Sequence, residues 1–181
     1  NPLDPDHSPE TKQLAEFFNE TLGFCPNSVL TMQHRPAISK AFINLNKAVM
    51  ANEGRVTSAL KRMIAWVSSN ATGCRYCQAH TGHNAGKLGV PEEKLAELWN
   101  FQTSEHFDEA ERAALRLAFH AGQVPNAATD EDFAECRKHY SDDQIAAIVS
   151  FIALFGYLNR WNDTMATDLE DSPKSFGERV L

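Results

Sequence analysis

Several things are scarce in this 181-residue sequence, and each scarcity excludes something. There is no basic excess: 17 Lys and Arg face 24 Asp and Glu, a formal net charge of −7, with a pI near 5.5. A nucleic-acid binder shows a basic face, so nucleic acid is not expected as a partner. There is no membrane-length apolar run. The longest, Ile145 to Leu158, contains Ser150 and Gly156 and is flanked by Asp142, Asp143 and Arg160. It falls short of the roughly 18–20 residues a span requires, so a buried core helix is expected and no membrane partner. The opening NPLDPDHSPE is polar and acidic, without the basic-then-apolar layout of a secretory signal, and the expected setting is cytoplasmic. No stretch alternates apolar and polar residues between turns, which argues against strands. No repeat or low-complexity tract is evident. The four cysteines, Cys25, Cys74, Cys77 and Cys136, do not make a disulfide framework.

What is present points to a packed globule. Hydrophobic residues make up 43% of the chain, with 11 Phe and 3 Trp. That suffices for a sizeable core without staples and excludes a disordered chain. The length suits one domain, 1–181. The punctuation is helical. Ser8-Pro9-Glu10 opens a helix to about Leu22, stopped by Gly23, and Phe24-Cys25-Pro26-Asn27 reads as a turn. Pro36 opens a helix to about Ala51. Leu60, Met63, Ile64 and Val67 mark a third over about Thr57–Asn70, broken by Ala71-Thr72-Gly73. The Cys-x-x-Cys segment starts the next, which ends near Leu88-Gly89. Val90-Pro91-Glu92-Glu93 opens another, sending Leu95, Leu98 and Trp99 to the core. Asp108-x-x-Glu111 and Ser141-x-x-Gln144 read as capping boxes, and Thr129 caps a helix to about Tyr140. The fold class is therefore all-α, one domain of about seven to eight helices.

Chemistry concentrates in Gly73-Cys74-Arg75-Tyr76-Cys77-Gln78-Ala79-His80-Thr81-Gly82-His83. With Cys74 at a helix start, Cys77 falls one turn on and on the same side. The partial positive charge of the helix terminus favours a thiolate. His80, three residues past Cys77, is within reach of its sulfur as a proton acceptor. Structural zinc on Cys74, Cys77, His80 and His83 is disfavoured. On one helix these residues sweep about 180° over ~13 Å, whereas a tetrahedral ion gathers its donors. Covalent haem needs His directly after the second Cys, and Gln78 stands there. Thiol redox chemistry in a reducing cytosol is preferred, with two cysteines packed as small hydrophobes as the alternative. No cofactor or metal is expected.

Cys74-Arg75-Tyr76-Cys77 with His close behind, preceded by Lys61-Arg62-Met63-Ile64-Ala65-Trp66-Val67-Ser68, resembles the core motif of the carboxymuconolactone decarboxylase-like superfamily. That group includes the alkylhydroperoxidase D proteins and many peroxidase-related proteins. Gly23-Phe24-Cys25-Pro26-Asn27-Ser28 and Asn159-Arg160-Trp161-Asn162-Asp163 resemble their entry and C-terminal signatures, so the likeness covers most of the chain, with its core at about 57–89. The resemblance implies a helical oligomer, a trimer or hexamer. It implies an antioxidant peroxidase that reduces small hydroperoxides, with Cys77 attacking, Cys74 resolving as a disulfide, and an external thiol or dithiol donor restoring the pair. Helix-terminus electrostatics alone would instead make Cys74 the more acidic thiol. Two positions depart from the family relay. Its glutamate is Arg62 here, and its histidine position is Thr81, with His80 one residue earlier. Arg62 could hold a thiolate by charge. For the missing carboxylate, Glu53 and Asp163 are candidates only by elimination. A disulfide carrier without peroxidase turnover and a non-catalytic oligomer remain the alternatives.

Other residues carry weaker expectations. Tyr76 is expected to be packed, though its hydroxyl could donate to a peroxide or sulfenate oxygen. His83 is expected at a surface or interface, and Trp66 in the core. Asn159 and Asp163 are expected to cap the emerging apolar helix rather than line the site. His34, His106, His120 and His139 are read as structural or solvated, and Cys25 and Cys136 as inert.

Overall fold

A computed structural model describes residues 1–180. The helices are α1 (Pro9–Leu22), α2 (Asn27–Met32), α3 (Pro36–Met50), α4 (Ser58–Thr72), α5 (Arg75–Lys87), α6 (Glu92–Ala96), α7 (Glu109–Ala121), α8 (Asp130–Cys136), α9 (Asp142–Met165) and α10 (Asp171–Val180), with a 3-10 turn at Leu98–Asn100. No strand is present among the described residues, so the class is all-α.

The punctuation works as local physics requires. Ser8 accepts a hydrogen bond from the Thr11 amide and Pro9 sits at the first helical position, while Gly23 closes α1 at φ 87°. Thr57 caps α4 by accepting from the Leu60 amide, and Gly73 ends it at φ 85°. Asp108 with Glu111, and Thr129 with Asp132, form reciprocal capping boxes at α7 and α8. The Ser141 amide donates to Gln144 Oε1 at the start of α9.

Helix α4 is central, with α5, α7 and α9 packed around it. Met63, Ile64, Ala65 and Val67 are sealed from solvent, as are Leu115, Leu117, Ile148 and Phe151 from the flanking helices. Trp66 joins them, as expected. The end of α7 passes so close to α4 that a Cβ on Gly122 would lie 2.7 Å from the Ser68 carbonyl oxygen. Lys61 is wholly buried on α4, and its Nζ donates to the carbonyls of Val49 and Ala51, tying the end of α3 to the core.

Four sequence expectations are corrected. Two helices were not anticipated. α2 follows what reads as a turn and is too short for periodicity, and α10 buries only Pro173 and Phe176. Trp99 is 55% exposed rather than in the core, because a 3-10 turn replaces the continuing helix and turns its ring out against the edge of Phe119. The helix capped by Thr129 stops at Cys136. No described helix is long and apolar enough to cross a membrane.

Candidate active site

Gly73 turns the chain out of α4 in the left-handed region, and Cys74 becomes the N-cap of α5, its amide donating to Ser69 O at 3.0 Å. Cys77 lies in the first turn of that helix. Both are free thiols, 0% and 2% exposed. The Cys74 side chain, by hydrogen bonding, and burial both push the Cys77 thiol well above its ordinary value, against an opposing hydrogen bond from Asn162. The helix terminus therefore does not yield a resting thiolate at Cys77: the Cys74 side chain first, and burial second, hold the proton on. Asn162 Nδ2 donates to Cys77 Sγ at 3.5 Å.

The carboxylate missing from the family position enters from neither candidate named by elimination. Glu53 is exposed and pairs by backbone with Val56. Asp163 is exposed on another groove, beside Arg160, and acts on Cys77 only as a charge. The carboxylate that does reach this cluster is Glu170, on the segment between α9 and α10. Its Oε2 lies 2.6 Å from His80 Nε2, and its Oε1 accepts from the Tyr76 hydroxyl at 2.9 Å and from the Asn27 amide. Tyr76 stacks on His80 with centroids 4.2 Å apart. Burial drives the Glu170 carboxyl up, but the hydrogen bond and charge of His80 and the Asn27 amide outweigh it and hold it below its ordinary value. The expected direct approach of His80 to the Cys77 sulfur is replaced by this arrangement, in which His80 Nε2 is engaged by Glu170 and the sulfur by Asn162.

A cleft of about 80 Å³ brings Cys77, His80, Tyr76, Arg62 and Asn162 onto one surface. Its remaining walls are chiefly apolar, with Phe18 and Leu22 from α1, Phe42 from α3, and Phe155 and Leu158 from α9. Larger surface grooves lie elsewhere and contain neither Cys74 nor Cys77.

The other predicted residues fall outside the cleft. Thr81 is buried and spends its hydroxyl on the Cys77 carbonyl at 2.7 Å. His83 is half-buried between Phe24 and Phe176, with Nε2 sealed off and its pKa lowered by burial and by Lys87. Asn159 bridges Ser69 and Thr72, fastening α9 to α4. Burial raises the Cys25 and Cys136 thiols to about 12 and about 11. His120 pairs with buried Asp132 at 2.8 Å. No group of three or more His, Cys, Asp or Glu that could hold a metal ion occurs among the described residues.

Comparison with known proteins agrees with this architecture. The profile of the carboxymuconolactone decarboxylase family matches residues 36–120. The debrominase Bmp8 is 35% identical, with 99% of this chain and 96% of that chain covered and a TM-score of 0.90. A cysteine-to-alanine variant of Bmp8 in complex with 2,3,4-tribromopyrrole superimposes equally well, at 34% identity. A peroxidase-related protein with an alkylhydroperoxidase D core from Ralstonia eutropha JMP134 shares the fold at 24% identity and a TM-score of 0.85, covering 100% of this chain and 96% of that one. An uncharacterized Bacillus subtilis (strain 168) protein, YdfG, is 26% identical over 112 residues, 61% of this chain and 74% of its own. With the profile on its core and a whole-length relative above 30% identity, the chain belongs to the carboxymuconolactone decarboxylase family.

Proposed function

We propose that this protein is a dithiol-dependent reductase that removes a halogen from a small aromatic compound. The observation that carries this is the buried Cys74–Cys77 dithiol at an aromatic-walled cleft that also presents His80 on Glu170. The whole-length likeness to a debrominase supports the substrate class. In this reading the carbon–halogen edge of the ring faces Cys77 and the ring lies against the apolar walls supplied by α1, α3 and α9.

With Nε2–H directed at Glu170, His80 keeps Nδ1 free to take a proton and return it. Cys77 loses its proton as attack begins, which its raised pKa requires, and with no direct hydrogen bond between the two side chains a water in the cleft carries it to His80. The thiolate attacks the halogen, the carbon–halogen electron pair passes to the ring, and the ring carbon receives the proton held by His80. Cys77 is left as a sulfenyl halide. Cys74 attacks its sulfur, expels halide and releases its own proton, so two thiols become one disulfide and the arene is reduced by two electrons. An external small thiol in a reducing, cytoplasmic setting restores the pair. No metal or prosthetic group takes part. Arg62 and Asn162 frame the cleft beside this chemistry. The apolar residues that α3 shows to solvent, Ile38 and Leu45, suit burial against a second copy in a homo-oligomer.

Hydroperoxide reduction is the second reading, favoured by the small cleft and by the motif. Cys77 would become a sulfenic acid as the peroxide leaves as alcohol, and Cys74 would condense with it, losing water. One experiment separates the two. Reduced protein is mixed with a bromopyrrole or with cumene hydroperoxide, and free thiols, bromide and peroxide are counted. Bromide release matching the loss of two thiols, reversed by dithiothreitol and abolished in Cys77→Ser, is expected. Peroxide consumption without bromide favours the second reading. Thiols that disappear with neither substrate yet exchange with dithiols indicate a carrier. Thiols inert to all three make the pair structural and refute the proposal.

A further inference from the structure

The cleft contains a cation that the dithiol chemistry does not use. Arg62, on α4, lines it beside Cys77. Its Nε is shut off from solvent without a hydrogen-bond partner. No carboxylate pairs with it among the described residues, and its guanidinium carbon lies over the Phe151 ring, 5.9 Å from the centroid. Burial lowers its pKa to about 10, with no neighbouring charge to offset it, and it remains a cation at neutral pH. A second polar atom is unmet on the same wall. Asn162 donates Nδ2 to Cys77, which leaves Oδ1 buried and unpartnered. Native interiors seldom leave such atoms alone, since a buried polar atom without a partner forfeits its hydration and gains nothing in return. A donor cation and an acceptor left unmet between Phe18, Phe42 and Phe155 are what a site looks like when its ligand completes it.

We infer that the cleft recognises a small aromatic anion, with its negative group on Arg62 and an N–H or O–H of the ligand donating to Asn162 Oδ1. The inference rests on the cleft being the substrate site, and it narrows the substrate class. A neutral ring or a neutral hydroperoxide leaves Arg62 unpaired, whereas a ring carboxylate or an acidified phenol pairs it through charge-assisted hydrogen bonds. The competing partner for Arg62 is a Cys77 thiolate. The groups that set that thiol's hold on its proton are Cys74, burial, Asn162 and Asp163, and Arg62 is not among them.

The test uses halogen-free probes and no turnover. The full chain carrying Cys77→Ala is titrated calorimetrically with pyrrole-2-carboxylate and with pyrrole-2-carboxamide, its neutral match in shape. The carboxylate is expected to bind about tenfold tighter or more, from the worth of a hydrogen bond between charged groups. Arg62→Met should erase that preference and Arg62→Lys should retain part of it. Arg62→Gln, which keeps a polar stem, serves if the Met variant does not fold. Equal affinity for the two probes overturns the inference, and so does a preference that survives loss of the guanidinium. In protein with Cys77 intact, a fall of the Cys77 thiol pKa on adding Arg62, by a unit or more relative to Arg62→Met, would assign the cation to the thiolate and overturn it too. Absent bromide release with an intact carboxylate preference would refute dehalogenation while leaving the anion site standing.

Discussion

Replacing Glu170 by Gln tests whether that residue is the carboxylate around which the site is assembled. The change preserves shape and removes charge. Glu170 and His80 are each 11% exposed at the side chain and sit 2.6 Å apart, so solvent screens them weakly. Three donors converge on the carboxylate: His80 Nε2, the Tyr76 hydroxyl and the Asn27 amide. A Gln oxygen can still accept from the last two, but its NH2 would face the His80 N–H. The loss is one bond to a charged group, worth about 1.5–3 kcal/mol. For a chain of this length that corresponds to roughly 3–12 °C in Tm. The pH dependence follows from the depressed carboxyl pKa. Stability from such a group is complete above its unfolded pKa of about 4.3 and is lost as pH falls through the lower folded value. The gap in Tm between the natural protein and Glu170→Gln, measured by circular dichroism, should therefore be widest near neutrality and close toward pH 3. A gap under about 1 °C at neutral pH, or one of equal size at both ends, would refute the placement of a charged Glu170 against His80.

Two further substitutions probe how the cleft is built. Lys61→Met leaves the Val49 and Ala51 carbonyls without their buried donor and should cost about 2–4 kcal/mol in urea unfolding; a change below about 0.5 kcal/mol would show that α3 is held by other contacts. Gly122→Ala drives a Cβ to 2.7 Å from Ser68 O and 2.9 Å from Ser68 Cα, both backbone atoms of α4, and should destabilise by about 1–3 kcal/mol. An unchanged urea midpoint would mean that α7 and α4 can part at no cost.

The frame of the molecule is readable from its amino acids because helix ends are local. Ser8, Thr57, Asp108, Thr129 and Ser141 cap within three residues of themselves, and Gly23 and Gly73 stop helices through their own φ angles. The approach of Cys77 to Cys74 is equally local, one turn of one helix. Glu170 is not, for it lies 90 residues from His80 in an acidic stretch with no periodicity, and no spacing rule points to it. Arg62 could be identified by its position, but that it goes unpaired depends on what α1, α3 and α9 bring around it. Asn162 was visible only as part of a C-terminal signature, and its contact with the Cys77 sulfur required the path of α9. Trp99 shows the reverse error, an apolar residue assigned inward by periodicity where the helix had already given way to a 3-10 turn.

The separation between the thiols and their carboxylate has a consequence for the nascent chain. At about 5–20 residues per second, the ribosome adds the 90 residues between His80 and Glu170 in roughly 5–18 s. Throughout that interval the dithiol emerges on a chain with no carboxylate to hold His80, and Tyr76 and the Asn27 amide have nothing to converge on. The clamp closes only when the segment that carries Glu170 docks against α5. The Tyr76 and His80 side chains are thus made well before the carboxylate that orders them, and the polar half of the site is completed only after α9 has been translated.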